Sequence, residues 1–240
     1  CASGASSLAA DGSSSCRALD CADVDDSGNI VIPAGVTAIN RYAFKDCYSL
    51  LSITFASGSQ CASIGEYAFA YSGLVNISIP TSVTSIGQYA FTSCLSLNKV
   101  SFDSGSQCAT FGSSIFASSG LVSITIPTSV TSIPSHAFTS CLSLKTVSFD
   151  SGSQCATFGG VAFAYSGLVN ISIPTSVTSI EGYAFLSSSL TSVSFDSGSQ
   201  CTNIFSYAFQ ATSLVNITIP ISVDYIGEGA FSRCKSLTRV

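Results

Sequence analysis

The sequence predicts a β-rich solenoid built from coils of 23 or 24 residues, with little α-helix. Three observations lead to this fold class: prolines recur at a fixed period, a short strand pattern recurs between them, and phenylalanine recurs at one place in the coil. So regular a period indicates a repeat architecture, in which each unit stacks on its neighbours. The prolines, at intervals of 47, 47, 47 and 46 residues, are Pro33, Pro80, Pro127, Pro174 and Pro220.

Each 47-residue unit contains two strands, so one coil is half a unit. Residues 97–102 read Leu-Asn-Lys-Val-Ser-Phe and carry apolar side chains at the first, fourth and sixth places. This spacing is typical of a short strand that buries one face. The distance from Ile79 to Phe102 is 23 residues and from Phe102 to Ile126 is 24, which sets the length of a coil.

The repeats divide the chain into two parts. Residues 30–240 are predicted to form the solenoid, and residues 1–29 are predicted to be an N-terminal cap or linker segment, which is where a solenoid needs a polar cover. The last strand pattern reaches only its fourth place at Val240, so we expect the solenoid to be truncated within its last repeat. Uncapped ends leave strand edges unpaired, and we expect them to favour self-association.

One phenylalanine per coil is predicted to stack on the next and form a buried spine. Helices are disfavoured because β-branched residues, serines and glycines crowd the segments between strands, while strong helix formers are scarce. We therefore expect short 3₁₀ turns or extended backbone opposite the sheet. The spine residues are Phe44, Phe69, Phe91, Phe116, Phe138, Phe163, Phe185, Phe209 and Phe231.

Most of the 11 cysteines follow the repeat in two columns, where a column is a set of residues at one place in successive coils. Cysteines of one column lie two coils apart, roughly 10 Å at ~4.8 Å per strand, too far for a disulfide. We predict free buried thiols in the repeats and expect any disulfide in the cap, which holds Cys1, Cys16 and Cys21. One unit is a residue shorter within residues 186–189, and we interpret the lost residue as its cysteine. The columns are Cys47, Cys94, Cys141 and Cys234, and Cys61, Cys108, Cys155 and Cys201.

The composition argues against several classes of function. Only 9% of the residues are charged and the net charge is −5, so the basic surface that binds nucleic acid is absent. No apolar run approaches the ~20 residues of a membrane helix, and we expect no membrane insertion within this segment. His136 is the only histidine and occupies a place that tyrosine fills in other coils, which argues against a catalytic triad. We predict no enzyme activity and no cofactor.

The acidic run at residues 23–29 resembles part of a calcium-binding loop. Its first, third, fifth and sixth places match the pattern, but the twelfth place is Ala34 rather than glutamate. The bidentate ligand of such a loop is therefore missing. We interpret the run as a solvated turn that leads into the first strand and predict no metal site, with a weak calcium site as the alternative.

The outward face of the predicted sheet is the candidate binding surface. Two neighbouring polar columns run along it, with Lys145 beside them. Strand propensity and solubility alone also favour Ser and Thr on an exposed strand, so a purely structural interpretation stays open. Asn76, Asn170 and Asn216 begin sequons and are candidate glycosylation sites. The columns are Ser52, Asn76, Lys99, Ser123, Thr146, Asn170, Ser192 and Asn216, and Thr54, Ser78, Ser101, Thr125, Ser148, Ser172, Ser194 and Thr218.

Residues 79–97 resemble a known family. They read Ile-Pro-Thr-Ser-Val-Thr-Ser-Ile-Gly-Gln-Tyr-Ala-Phe-Thr-Ser-Cys-Leu-Ser-Leu, which is similar to the repeat consensus of the BspA-like leucine-rich repeat family. The match covers residues 30–240, with His136 and Gly229 in place of the usual tyrosine. The resemblance implies a right-handed leucine-rich repeat solenoid with one parallel sheet on its concave face. It also implies a bacterial or protist surface protein associated with adhesion and the binding of host or matrix proteins.

Two functions are open on this basis. The first is an extracellular adhesion or recognition module, at the cell surface or secreted, that binds a protein or glycan through the concave sheet face. The alternative is a structural surface-array protein, including ice binding through the Ser/Thr ladder. Lys99 and the asparagines interrupt that ladder, which favours the first hypothesis.

Overall fold

The computed structural model describes residues 5–6 and 17–239. Within them the chain forms a solenoid of parallel strands, and the only helix is a 3₁₀ turn at Cys21–Asp23. The predicted β-rich solenoid is therefore confirmed. The part of the cap that is described contains one antiparallel pair, β1 (Ala5–Ser6) with β2 (Arg17–Ala18). The described chain has no helix of the length and apolar character needed to cross a membrane.

Four-residue strands, one per coil, form what we call the long-strand sheet. Neighbouring strands are parallel and in register, so equivalent residues of successive coils lie side by side. Pairing is interrupted between β13 and β15 and continues past β17 as single bridges at Asn216 and Arg239. The strands are β3 (Asn29–Ile32), β5 (Ser52–Phe55), β7 (Asn76–Ile79), β9 (Lys99–Phe102), β11 (Ser123–Ile126), β13 (Thr146–Phe149), β15 (Asn170–Ile173) and β17 (Ser192–Phe195).

A second line of strands, two residues each, forms the short-strand sheet and provides the extended backbone expected opposite the first sheet. It too is parallel and in register, with an interruption between β10 and β12. Each short strand buries its second residue, except in the last coil. The strands are β4 (Ala38–Ile39), β6 (Ser63–Ile64), β8 (Ser85–Ile86), β10 (Thr110–Phe111), β12 (Ser132–Ile133), β14 (Thr157–Phe158), β16 (Ser179–Ile180), β18 (Asn203–Ile204) and β19 (Tyr225–Ile226).

The phenylalanine spine is confirmed. Every successive pair from Phe44 to Phe231 is stacked, with ring centroids 5.0 to 5.4 Å apart. All but Phe231 are fully buried. Stacked aromatic pairs stabilise a core by about 0.5–1.5 kcal/mol beyond the area that they bury. The spine therefore connects the coils through one continuous column of contacts.

The turn that carries each phenylalanine contains two residues with left-handed backbone. Around Phe44 they are Tyr42, with φ of 62°, and Asp46, with φ of 58°. The N–H groups of these three residues donate to carbonyls of the next coil, while the residues between them close tight turns within the coil. A left-handed non-glycine residue costs about 1–2 kcal/mol, which the inter-coil hydrogen bonds offset. A 3₁₀ turn would keep these N–H groups within the coil, so the short 3₁₀ turns that we also considered do not form in the described repeats.

Glycine is needed in a coil when the preceding coil has an extra residue in the loop after its spine phenylalanine. A Cβ atom on Gly120 would lie 2.1 Å from the carbonyl oxygen of Leu95 in the preceding coil, closer than any contact allows. Gly73 has the same relation to Tyr48, and Gly167 to Leu142. The coils before Ser189 and Ser213 lack the extra residue, and serine takes the glycine's place. Whether this place holds glycine or serine therefore depends on the loop length of the preceding coil, through backbone contact between the two coils.

One prediction about the cysteines is wrong, because Cys47 of the repeats forms a disulfide with Cys21 of the cap. Our distance argument holds between cysteines of one column, but Cys47 belongs to the first coil and has no coil before it. The cap segment occupies that place and brings Cys21 to a Cα separation of 5.6 Å. Cys1 and Cys16 lie outside the described residues. The other repeat cysteines are free: Cys61, Cys94, Cys108, Cys141, Cys155, Cys201 and Cys234.

The missing cysteine of the short unit also has a different explanation. Ser188 donates its backbone N–H to the carbonyl of Phe185, as Cys94 does to Phe91, so the two residues are equivalent. Cysteine was therefore replaced by serine, and the lost residue belongs to the loop that follows. Ser188 is 3% exposed.

Candidate functional site

The predicted binding residues lie on one surface, the outward face of the long-strand sheet. They are the first and third residues of successive strands, whose side chains point away from the core because strand side chains alternate. Lys145 lies one residue before β13 and is exposed at the edge of this face. All the others are exposed except Ser52 and Ser101, which are half-buried. The structure thus gathers residues from eight coils into one polar strip.

Six of the eight hydroxyl groups in the column from Thr54 to Thr218 are hydrogen-bonded to one another in pairs. The hydroxyl of Ser101 donates to that of Ser78 over 3.3 Å, and Thr125 and Ser148 share a hydrogen bond of 3.0 Å. Ser194 donates to Ser172 over 3.1 Å. The column is therefore divided into small hydrogen-bonded groups, each spanning two coils.

Three carboxylates that were not among the predicted site residues lie beside the face. Asp103, Asp150 and Asp196 directly follow β9, β13 and β17, one in every second coil. Ser78 donates to Asp103 over 2.8 Å, and Ser172 donates to Asp196 over 2.6 Å. The sequence contained a signal for these residues, because the loop Asp-Ser-Gly-Ser-Gln-Cys recurs three times. A charged residue that recurs at one place in a chain with so few charges is a candidate functional residue.

These loops alternate with shorter proline turns, which leaves a series of troughs. We define a trough as the space over one proline turn, next to the loop of the preceding coil. The trough over Pro80 has a volume of about 370 Å³ and is also lined by Phe55, Ser78 and Asp103. The trough over Pro220 measures about 470 Å³.

The trough over Pro127 has a volume of about 590 Å³, and a cavity of about 270 Å³ over β9 and β11 adjoins it through Asp150, which lines both. The proline turn at its base forms hydrogen bonds with the loops of both neighbouring coils. The hydroxyl of Ser129 donates to the carbonyl of Cys108 over 2.7 Å, and that of Thr128 donates to the carbonyl of Ser151 over 3.3 Å. These hydrogen bonds hold the turn and the two loops in a fixed relative position.

The three sequon asparagines lie on this face and are exposed. Asn76 and Asn170 are the first residues of β7 and β15, and Asn216 holds the same place in a later coil. The serines of the first two sequons, Ser78 and Ser172, donate to aspartate carboxylates. Glycans at these positions would project from the polar strip itself.

The other residues that could support chemistry have structural surroundings. His136 is exposed on a turn, in the left-handed place of the tyrosine column. Burial raises the pKa of the Cys94, Cys141 and Cys155 thiols to about 11, which disfavours the nucleophilic thiolate. In the acidic run, Asp25 accepts hydrogen bonds from the backbone of Ser27 and Asn29 and so closes a local turn.

Comparison with known proteins places the chain in a family. A model of the BspA type leucine-rich repeat region matches in six copies, over residues 24–144 and 109–238. No curated protein matches the chain. A solved leucine-rich repeat protein from Bacteroides ovatus is similar, with 25% identity and a TM-score of 0.61 over 88% of this chain. This chain spans 66% of the length of that protein.

Two further solved structures show the same fold. A leucine-rich repeat protein from Eubacterium ventriosum has 22% identity and a TM-score of 0.50, covering 89% of this chain and 67% of its own. The leucine-rich repeat protein of T. pallidum has 22% identity and a TM-score of 0.50, covering 88% and 78%. Because the family model matches nearly the whole repeat region, this chain belongs to the BspA-type leucine-rich repeat family.

Proposed function

We infer that this chain is an extracellular recognition module that binds a protein or glycan at a cell surface or in a matrix. Its binding surface is the outward face of the long-strand sheet. The observation that carries the proposal is the largely exposed polar strip on that face, whose strands pair in register from β3 to β13 and again from β15 to β17. Such a surface suits contact with a large ligand, because it is broad and its shallow clefts repeat along the solenoid.

The energetics of this surface support a role in adhesion. Each hydroxyl or amide hydrogen bond contributes only about 0.5–1.5 kcal/mol net, so a single contact is weak. Many equivalent contacts, or many copies of the module on one surface, would add through effective concentration. Family membership supports a surface location, since the resemblance is to surface proteins of bacteria and protists.

We do not extend the proposal to ice binding or a regular surface array. Those functions need a long row of equivalent free hydroxyls, whereas here Ser101 donates to Ser78 and Thr125 bonds to Ser148. Lys99 interrupts the neighbouring column. We also propose that the module is not an enzyme, because its only histidine is exposed on a turn and its free thiols lie mostly in the core.

The test is binding to an array of purified matrix proteins and glycans. One variant replaces Lys99, Thr125 and Thr146 by glutamate, which covers the centre of the strip with bulky charged groups. Its control replaces Gln88 and Ser135, which are exposed on turns away from the strip, by glutamate. Ser101 is kept in both variants because it is half-buried.

We expect the strip variant to lose binding and the control to keep it, with the two variants showing the same circular dichroism. If the control lost binding and the strip variant did not, the ligand would bind the opposite side of the solenoid. If the native chain bound nothing on the array, the recognition proposal would be wrong.

A further inference from the structure

We propose that the row of troughs binds a neutral, β-linked polysaccharide, with one disaccharide in each trough. This inference rests on the proposed function and narrows its ligand to one chemical class. The troughs described above lie over Pro80, Pro127 and Pro220 and open beside the polar strip, and Pro174 holds the same place in the repeat.

The spacing of the troughs matches the repeat of such a polysaccharide. Equivalent troughs are two coils apart, and strands lie about 4.8 Å from one another, so the troughs recur roughly every 10 Å. One disaccharide of an extended β-1,4-linked chain has about the same length. A polysaccharide lying along the solenoid axis would therefore present the same ring edge to each trough in turn.

The residues that line the troughs have the chemistry to bind a sugar. A carboxylate accepts hydrogen bonds only, and a pair of neighbouring sugar hydroxyls can donate to both of its oxygens. Asp150 is exposed in the trough over Pro127, and its carboxylate accepts no side-chain hydrogen bond from the described residues. Phe102 is half-buried in the adjoining cavity that Asp150 also lines, and it offers an apolar edge to the C–H face of a sugar ring.

The trough over Pro80 repeats this set of groups. Phe55 is half-buried in its wall, and Asp103 lies across from it, already accepting from Ser78. A carboxylate oxygen has two lone pairs, so Asp103 can accept from a sugar hydroxyl while it keeps this bond. The serine bond also fixes the direction of the carboxylate before a ligand arrives.

The charge of the troughs favours a neutral polysaccharide. Lys99 is the only basic residue among those lining the described troughs and the adjoining cavity, against the carboxylates of Asp103, Asp150 and Asp196. The whole chain carries a net charge of −5. Uronic acids and sulfated sugars would therefore be repelled, and a neutral chain of hexose or N-acetylhexosamine units fits better.

The test is calorimetric titration of the native chain with cellobiose, chitobiose, cellohexaose, chitohexaose and a heparin hexasaccharide. A neutral hexasaccharide spans three troughs, so we expect at least one of the two to bind at least about tenfold more tightly than its disaccharide. The heparin hexasaccharide should bind less tightly than the neutral hexasaccharide. The variant D103N/D150N/D196N should lose that binding by at least about tenfold, since three troughs each lose a charged acceptor.

The matched control is D46N/E66Q/E181Q, which removes the same number of negative charges from other parts of the surface. It should bind the hexasaccharide as the native chain does. Failure of both neutral hexasaccharides to bind, equal affinity for the two lengths, tighter binding of heparin, or equal effects of the two variants would each overturn the proposal. Binding on the protein array without oligosaccharide binding would overturn the trough assignment alone and leave the recognition function standing.

Discussion

The thiol of Cys94 donates a hydrogen bond to the carbonyl oxygen of Phe69 in the preceding coil, with 2.9 Å between sulfur and oxygen. Cys141 and Cys234 make the same contact with the preceding coil, each over 3.0 Å. Ser188 occupies the equivalent place, but its hydroxyl is buried without a hydrogen-bond partner. The C–O bond is shorter than the C–S bond, so the serine oxygen reaches less far.

Ser188→Cys should therefore stabilise the solenoid. The new thiol would reach the carbonyl of Phe163 and remove a buried unpaired hydroxyl, a gain of about 1 kcal/mol. For a chain of this size, that raises the thermal midpoint by about 2–4 °C, which calorimetry would measure. Ser166→Ala provides the comparison and should lower the midpoint, because the Ser166 hydroxyl donates to the same carbonyl over 2.7 Å. A lower midpoint for Ser188→Cys would show that the contact does not form.

The disulfide between Cys21 and Cys47 should be the only link of the repeat cysteines. Peptide mapping of the oxidised chain is expected to connect these two residues and to find the other repeat cysteines as free thiols. A link from Cys94 to Cys108 would contradict this expectation. Replacing Cys21 and Cys47 together by serine should lower stability by about 2–4 kcal/mol, because the disulfide restricts the unfolded chain.

Stability should fall at alkaline pH because of the buried thiols. Burial raises the pKa of Cys108 to about 12 and that of Cys94 to about 11, from an ordinary value of 9.0. The folded form therefore keeps protons that the unfolded form has already released, and the stabilisation is lost as the pH rises above 9. Each such group costs up to about 1.4 kcal/mol per pH unit in this range.

Cys108→Val should reduce this alkaline sensitivity. Valine fits the site, because Val83 and Val130 occupy the equivalent buried place in neighbouring coils. Urea titrations at pH 7 and pH 10.5 would compare the two chains. The variant should lose less stability than the native chain between the two pH values, and an equal loss would show that Cys108 does not titrate late.

The fold could be predicted because its determinants recur: the spine from Phe44 to Phe231 needs only a period to be recognised. The disulfide could not, because Cys21 lies in the cap, where no repeat indicates its neighbour. The left-handed backbone was also missed, since Tyr42 is not a residue type that signals it. For the candidate site, the polar strip could be predicted from the alternation of side chains along each strand. The troughs could not, because they arise where the turn at Pro80 and the loop that begins at Asp103 lie side by side, and the sequence does not show how far each one projects.

Phe138→Ala should remove one member of the spine and destabilise the chain by about 3–5 kcal/mol. The ring of Phe138 is fully buried and stacks on Phe116 and Phe163 at 5.4 and 5.3 Å, so neither neighbour can fill the cavity without losing its own contacts. Urea denaturation would measure the loss. Leu142→Ala serves as the control, because that side chain is 72% exposed and should cost little. A loss below about 1 kcal/mol for Phe138→Ala would mean that the core repacks.

Gly120→Ser should destabilise the chain although it places serine where other coils already carry it. At Gly120 a Cβ atom would lie 2.1 Å from the carbonyl oxygen of Leu95, a backbone atom that the extra loop residue of that coil holds in place. At Ser189 the preceding coil lacks this residue, and the same side chain fits. Overpacking of this kind costs about 1–3 kcal/mol.

The control for this substitution is Ser189→Gly, the reverse substitution at the equivalent place in another coil. It should cost only the about 0.5–1 kcal/mol of added backbone entropy, because no contact requires glycine there. Deleting Leu95 from the Gly120→Ser chain should restore part of the lost stability, since the coil would then have the loop length that precedes Ser189. Thermal denaturation of the three variants would decide the matter. If Gly120→Ser and Ser189→Gly had the same effect, glycine would not be required by the loop of the preceding coil.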